Sequence, residues 1–257
     1  MKDMYPDIFN ENLKGKTVIL RADINSSVKD GQLLISPKII EHAETIRRFE
    51  KAKAKTIVLS HQGRPGREDF VSLESHYRAL KELVTSKLQF CTWKEDYSKK
   101  IASLKEGESL LLENTRFLDF EQNDEISAKD HAKNPVIKKI AEKADYFALD
   151  ALSVAHRGHA TVVGFMPLLP SFAGPVLRTE LKALEKINNK ESEVTLLLGG
   201  MKPEDSIDIM EKLLKNEKAE EVLLGGGMGE MAILAKNKDL GATNKLFEDK
   251  KEFIFNI

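Results

Sequence analysis

Cysteine is almost missing from this chain. Cys91 is the only one among 257 residues, so no intramolecular disulfide framework can form, and no Cys-rich zinc site is available. Charge of one sign is not in excess either. Lys and Arg number 40 against 41 Asp and Glu, a net charge of −1, whereas a general nucleic-acid binder carries a clear basic surplus. No apolar run approaches the roughly 18–20 residues that a membrane helix needs. The opening MKDMYPDIFNENLKGK has no apolar stretch of the kind a secretory signal contains, so a reducing cytoplasm is the expected setting. There is no GxxxxGK[ST] phosphate loop and no GxGxxG after the first apolar run. Internal repeats and low-complexity tracts are also lacking.

What is present is an alternation. Short apolar runs lie at TVIL (17–20), TIVL (56–59), SLLL (109–112), DYFAL (145–149), VTLLL (194–198) and EVLL (221–224). Each is apolar nearly throughout, as expected of strands buried on both faces of a parallel sheet. Between them run charged stretches with helical spacing. Residues 39–52 place Ile39, Ala43, Ile46 and Phe49 on one face. Residues 72–86 and 127–144 read similarly, with Pro135 expected to break or restart the latter.

The pattern predicts an α/β protein with right-handed crossovers: two Rossmann-like three-layer domains with parallel sheets, the second incomplete. Prolines and glycines cluster at 164–175 ahead of a helical stretch at 176–187. The expected division is a domain over 1–165, a linker and helix over 166–187, and a partial domain over 188–257. The partial domain has two strong strands and a candidate third, EFIFNI (252–257). An end on such a run suggests a truncated chain.

The chemistry follows the apolar runs. After the first come Arg21, Asp23 and Asn25; after the second, His61 and Arg64; after the third, Arg116; after the fourth, Asp150, His156, Arg157 and His159. In an open α/β sheet, ligands bind beyond the carboxyl ends of the strands, and Arg forks pair with carboxylate or phosphate. One such Arg is usually a surface ion pair, and one such His a core donor. Four strand ends repeating the pattern point to a cup for a small, multiply charged anion. Asp23 and Asn25 could instead cap a turn, and Asp150 could orient an Arg. The later runs are followed by glycines instead: Gly199, Gly200 and Lys202, then Gly225, Gly226 and Gly227. Glycines between strand and helix let backbone N–H groups approach an anion, though they also serve plain tight turns.

The ordered series RADIN, SHQGRP, ENTRF, DALSVAHR, LLGGMK and LLGGGM resembles the phosphoglycerate kinases across nearly the whole chain. That resemblance implies phosphoryl transfer between 1,3-bisphosphoglycerate with Mg-ADP and 3-phosphoglycerate with Mg-ATP. It implies a cytoplasmic monomer without nucleic-acid or membrane partners. It places Asp23, Asn25, His61, Arg64, Arg116 and Arg157 at the 3-phosphoglycerate site, and the five glycines and Lys202 at the nucleotide. Lys202 and Lys38 are implied as catalytic cations, with magnesium arriving with the nucleotide. Arg21 matches the motif with an expected structural role.

Three departures stand out. Lys38 replaces an Arg of the family pattern, and an ammonium lacks the bidentate fork. Ser206 stands where many members have a second Lys. The family's downstream NGPxGxFE and GGGDT segments, the latter with a magnesium-associated Asp, do not occur. The alternative expectation is therefore a non-catalytic relative that binds the phospho-anion and has lost the nucleotide site.

Overall fold

The computed structural model describes residues 5–29, 31–188, 194–200 and 203–250. Lys202 and the run 252–257 lie outside them.

The chain divides into two compact units, residues 1–181 and 182–257. In chain order the first unit contains β1 (Thr17–Ala22), β2 (Val28–Lys29), β3 (Gln32–Leu33), α1 (Pro37–Lys51), β4 (Lys55–Leu59) and α2 (Glu74–Leu83). Then come β5 (Leu88–Cys91), α3 (Tyr97–Ala102), β6 (Ser109–Leu112), α4 (Ala128–His131) and α5 (Pro135–Ala141). It closes with β7 (Tyr146–Asp150), α6 (Ala160–Val163), β8 (Ser171–Ala173) and the start of α7 (Pro175–Asn188).

Six of these strands form one parallel sheet in the order β5-β6-β4-β1-β7-β8. Successive side chains point to opposite faces, and each face buries its own core. Val18, Leu20, Val58, Leu111 and Ala148 pack with Ile39, Ala43, Ile46 and Phe49 of α1 and Leu80 of α2. Ile19, Ile57, Leu110, Leu112 and Phe147 pack with Ile101 of α3, Ile137 and Ile140 of α5 and Val162 of α6. Burial on both faces is why the strand sequences read as unbroken apolar runs.

Pro135 does restart the helix. Asn134 caps α5 by accepting the Val136 N–H at 2.9 Å, and Pro at the first helical position forfeits no internal bond. The segment 166–187, expected as a connector, differs in part: it adds β8 to the sheet edge and the first half of α7 to the first unit. Leu177 is buried against the sheet, and Arg178 pairs with Asp7 at 2.9 Å.

The second unit contains β9 (Thr195–Leu198), α8 (Pro203–Lys215), β10 (Glu221–Leu224) and α9 (Gly226–Ala235). β9 and β10 pair in parallel with Leu197 opposite Leu223. One face of this pair meets a small core of Ile207, Met228, Met231 and Phe247. On the other face Leu197 is 78% and Leu223 48% exposed. A core of four buried side chains holds far less apolar area than the two cores of the first unit. Backbone amides of β9 and β10 are therefore expected to exchange with solvent much faster than those of β1, β4 and β7. Hydrogen-exchange mass spectrometry checks this; equal protection would contradict it.

No helix among the described residues is long and apolar enough to cross a membrane.

Candidate functional site

The strand order turns at β1. The chain runs from β1 to β4 on one side and later returns to β7 on the other. Such a switch point leaves a crevice beyond the carboxyl ends of the strands, and the Asp23 and Asp150 segments flank it.

Asp23 is 6% exposed. Its Oδ2 accepts from Lys38 Nζ at 2.8 Å and from Ser153 Oγ at 2.7 Å. Burial opposes ionisation here, but the hydrogen bonds from Lys38 and Ser153 outweigh it and hold the carboxyl below its usual range. The other oxygen, Oδ1, is buried without a hydrogen-bond partner. Lys38 lies in the first turn of α1, and His42 one turn later reaches the Lys38 carbonyl through Nδ1 and the Asp150 carbonyl through Nε2, both at 2.8 Å. Asp150 serves the backbone and a hydroxyl in the contacts that the structure shows. Its carboxylate accepts the Leu177 N–H at 2.9 Å and the Thr45 hydroxyl at 3.2 Å, tying α7 and α1 to the end of β7.

Below the crevice floor Arg21 is fully buried. Its Nε donates to Thr161 Oγ1 at 3.1 Å, its Nη1 to the Ala22 carbonyl at 2.8 Å, and its Nη2 meets His61 Nδ1 at 3.2 Å. A guanidinium only donates, so Nδ1 of His61 accepts and the proton of the neutral ring sits on Nε2. Burial, reinforced by Arg21 and Arg116, lowers the His61 pKa to about 2. Glu121 closes this layer, taking the Thr161 hydroxyl at 2.5 Å and its N–H at 2.9 Å.

The loop after β4 is tied to both neighbours through Gly63. Its N–H donates to Asn25 Oδ1 at 3.0 Å, and its carbonyl accepts from Arg116 Nη1. Gly63 has φ +64°, and a Cβ there would fall 2.2 Å from the Asp69 carbonyl oxygen. Only glycine fits. Burial lowers the Arg116 pKa, and repulsion from Arg64 and Arg157 adds to it. Arg116 Nε is buried with no hydrogen-bond partner. Arg157 is half-exposed and pairs with Asp124 Oδ2 at 3.5 Å. His159 is buried, and its pKa is lowered to about 4 by burial, with Arg116, Arg21 and Arg157 adding to the shift and Asp124 opposing it.

The first unit brings the residues expected from sequence near one another: Lys38 bonds Asp23, Asn25 bonds the loop that carries Arg64, and Arg116 lies within electrostatic reach of His61, Arg64 and Arg157. His156 is exposed and has no such place. Sequence reading missed Ser153, His42, Glu121, Thr161 and Asp124. Ser153 was visible inside the DALSVAHR run; Asp124 had no signal, being one of several acids in a loop.

In the second unit the glycine turns lie side by side. A Cβ on Gly199 would come 3.5 Å from the Gly225 carbonyl oxygen, and one on Gly226 3.4 Å from the Gly200 nitrogen. Gly225 caps α9, and Gly227 is buried in its first turn.

Comparison with known proteins places this arrangement. The family model for phosphoglycerate kinase matches residues 8–256. The chain belongs to the phosphoglycerate kinase family. It is 37% identical over 257 residues to a phosphoglycerate kinase of Archaeoglobus fulgidus, covering 98% of this chain and 62% of that protein. It is 38% identical over 255 residues to one from Pyrobaculum aerophilum, with 98% and 62% covered. Among solved structures, the phosphoglycerate kinase of Pyrococcus horikoshii superposes with a TM-score of 0.89 at 34% identity, covering 97% of this chain and 62% of that one. That of Coxiella burnetii gives 0.76 at 26% identity, covering 97% and 64%. The chain spans less than two thirds of the length of these relatives. The kinase-family fold is therefore an α/β architecture with a six-stranded parallel sheet and a small second parallel sheet.

Proposed function

We propose that this chain carries the 3-phosphoglycerate-binding half of a phosphoglycerate kinase and the first part of its nucleotide half. The reaction is phosphoryl transfer between 1,3-bisphosphoglycerate with ADP and 3-phosphoglycerate with ATP, as a cytoplasmic monomer. The reading rests on one observation. Arg116 is repelled by both Arg64 and Arg157, and Asp23 Oδ1 and Arg116 Nε are buried without hydrogen-bond partners. Buried polar atoms are rarely left unpaired, and a phosphate with a neighbouring hydroxyl supplies both the missing acceptor and the missing donor.

In this reading Arg64, Arg116 and Arg157 hold the ligand phosphate or carboxylate, His61 donates through Nε2, and Asp23 takes a hydroxyl. Asn25 acts through Gly63, fixing the loop that carries Arg64. The nucleophile of the ATP-consuming direction is an already ionised carboxylate, so no residue here has to remove a proton. The work is positioning and charge neutralisation. Gly199, Gly200, Gly225, Gly226 and Gly227, with Lys202, form the nucleotide side. We assign residues 1–165 to the glycerate domain, with 166–187 adding β8 and the start of α7 at its edge before the chain leads into the partial nucleotide domain at 188–257. The family's magnesium is another matter. Among the described residues no group of three His, Cys, Asp or Glu side chains could hold a metal ion. Magnesium would arrive with the nucleotide, whose phosphates supply much of its ligand set.

A second reading, a binding protein without turnover, is favoured by Lys38. Its ammonium is committed to Asp23 at 2.8 Å and so is less free to attend a transferring phosphoryl group. Two measurements separate the cases. Calorimetric titration of the chain with 3-phosphoglycerate should show heat of binding that weakens with salt; no heat at millimolar ligand contradicts both readings. A coupled ATP-consumption assay on the same chain should show turnover far below the roughly 1–10³ per second of ordinary enzymes. Turnover in that range would remove the second reading.

A further inference from the structure

Asp124 lies in the loop between β6 and α4 and faces the basic rim of the cup. Its two oxygens are held very differently. Oδ1 accepts the Gly158 N–H at 2.7 Å, a short and therefore firm charge-assisted bond. Oδ2 lies 3.5 Å from Arg157 Nη1, long for a hydrogen bond, and Oδ1 lies 3.8 Å from His159 Nε2. Gly158 is where the two segments touch: a Cβ there would come 3.1 Å from the Asp124 Cα and carbonyl oxygen. The backbone thus anchors the carboxylate, while its free edge is offered loosely to the cation. Asp124 is 48% exposed, so the arrangement is open to solvent and to an arriving ligand.

The charge pattern gives this geometry a purpose. Arg116 is destabilised by Arg64 and by Arg157, and His159 by Arg116, Arg21 and Arg157, with Asp124 acting against them. Of the ion pairs formed by the cup's arginines among the described residues, Asp124 with Arg157 is the one that the structure shows within 4 Å. We propose that Asp124 is a built-in counter-anion of the cup, which neutralises Arg157 while the site is empty and surrenders it to the ligand phosphate on binding. This rests on the reading of the cup as a phospho-anion site. Asp124 is then a positioning residue. It keeps the rim arginine in place without a ligand, and by repelling the bound phosphate it trades affinity for easier release.

The claim separates cleanly from a structural role. In Asp124→Asn the amide oxygen can still accept the Gly158 N–H, but the negative charge is gone. Calorimetric titration of the whole chain and of this variant with 3-phosphoglycerate, and with inorganic phosphate as a second probe, is the test. Removing a unit charge several ångströms from a multivalent anion should tighten binding about three- to tenfold at low salt. The gain should fade as salt rises toward 1 M, where the screening length shrinks to about 3 Å. Asp124→Ala, which also loses the Gly158 bond, should gain less than Asp124→Asn. A wild-type chain that binds either probe, with an Asn variant that binds equally or more weakly, overturns this inference alone. So does a gain that is insensitive to salt. A wild-type chain that binds neither probe contradicts the reading of the cup itself, and the inference falls with it.

Discussion

Between about pH 6.5 and pH 4 the first unit should lose stability at about 1.4 kcal/mol per pH unit for each of three buried histidines. His61, His76 and His159 are 4%, 0% and 6% exposed. Burial lowers their pKa values to about 2, about 4 and about 4. The unfolded chain, with imidazoles near the ordinary 6.5, binds protons in this range while the folded chain does not. Their contribution is complete above pH 6.5 and is lost as the pH falls. Below about pH 4, His76 and His159 protonate within the fold, and only His61 keeps the slope. Asp150 and Glu121 act in the opposite sense, because burial raises both and the folded state takes up those protons first. The histidines outnumber them, so the net direction stands. Urea unfolding at pH 7, 6 and 5 measures the slope. His76→Gln should flatten it by about one histidine's share. A His76→Gln chain whose slope equals that of the parent would show that this ring is not held neutral in the fold.

The largest loss of binding should come from Arg116→Ala. Arg116 is the member of the cup linked to most of the others: it bonds the Gly63 carbonyl, repels Arg64 and Arg157, and has a buried Nε with no partner. Its removal deletes a charge-assisted contact to the ligand and unties the loop that presents Arg64. At about 1.5–3 kcal/mol for each hydrogen bond to a charged group, the two effects together should weaken 3-phosphoglycerate binding about 10²-fold or more. Arg64→Ala and Arg157→Ala remove one exposed contact each and should cost on the order of 1–3 kcal/mol. Calorimetry on the three variants gives the ranking. An Arg116→Ala chain that binds as tightly as the parent would mean that the anion sits elsewhere.

The strands of the first unit that were legible in the sequence are those buried on both faces. TVIL, TIVL and SLLL carry no polar interruption, because helices cover both sides of the sheet. β5 and β8 were not legible, for a physical reason. They form the two edges of the sheet, where Gln89 and Phe90, or Ser171 and Phe172, are only partly covered or exposed. The β2–β3 ribbon is too short to impose a period. In the site, residues directly after a strand could be placed from sequence because the sheet dictates where its carboxyl ends lie. Lys38 and Asp23 come together through α1, 15 residues apart, and the motif pattern marked both. Asp124 meets Gly158 across 34 residues of chain, and no spacing rule brings those segments together. Arg21 shows the limit of the motif signal: its position was marked, but only its burial beneath His61 shows that it sets the tautomer of that ring.

The location of the cup is the central claim, and amide chemical-shift mapping tests it most directly. Titrating 3-phosphoglycerate into the isotopically labelled chain should shift resonances of residues 23–26, 60–66, 114–117 and 150–159, with those of β9, β10 and their glycine turns unmoved. Shifts confined to the glycine turns, or no shifts at millimolar ligand, would contradict it.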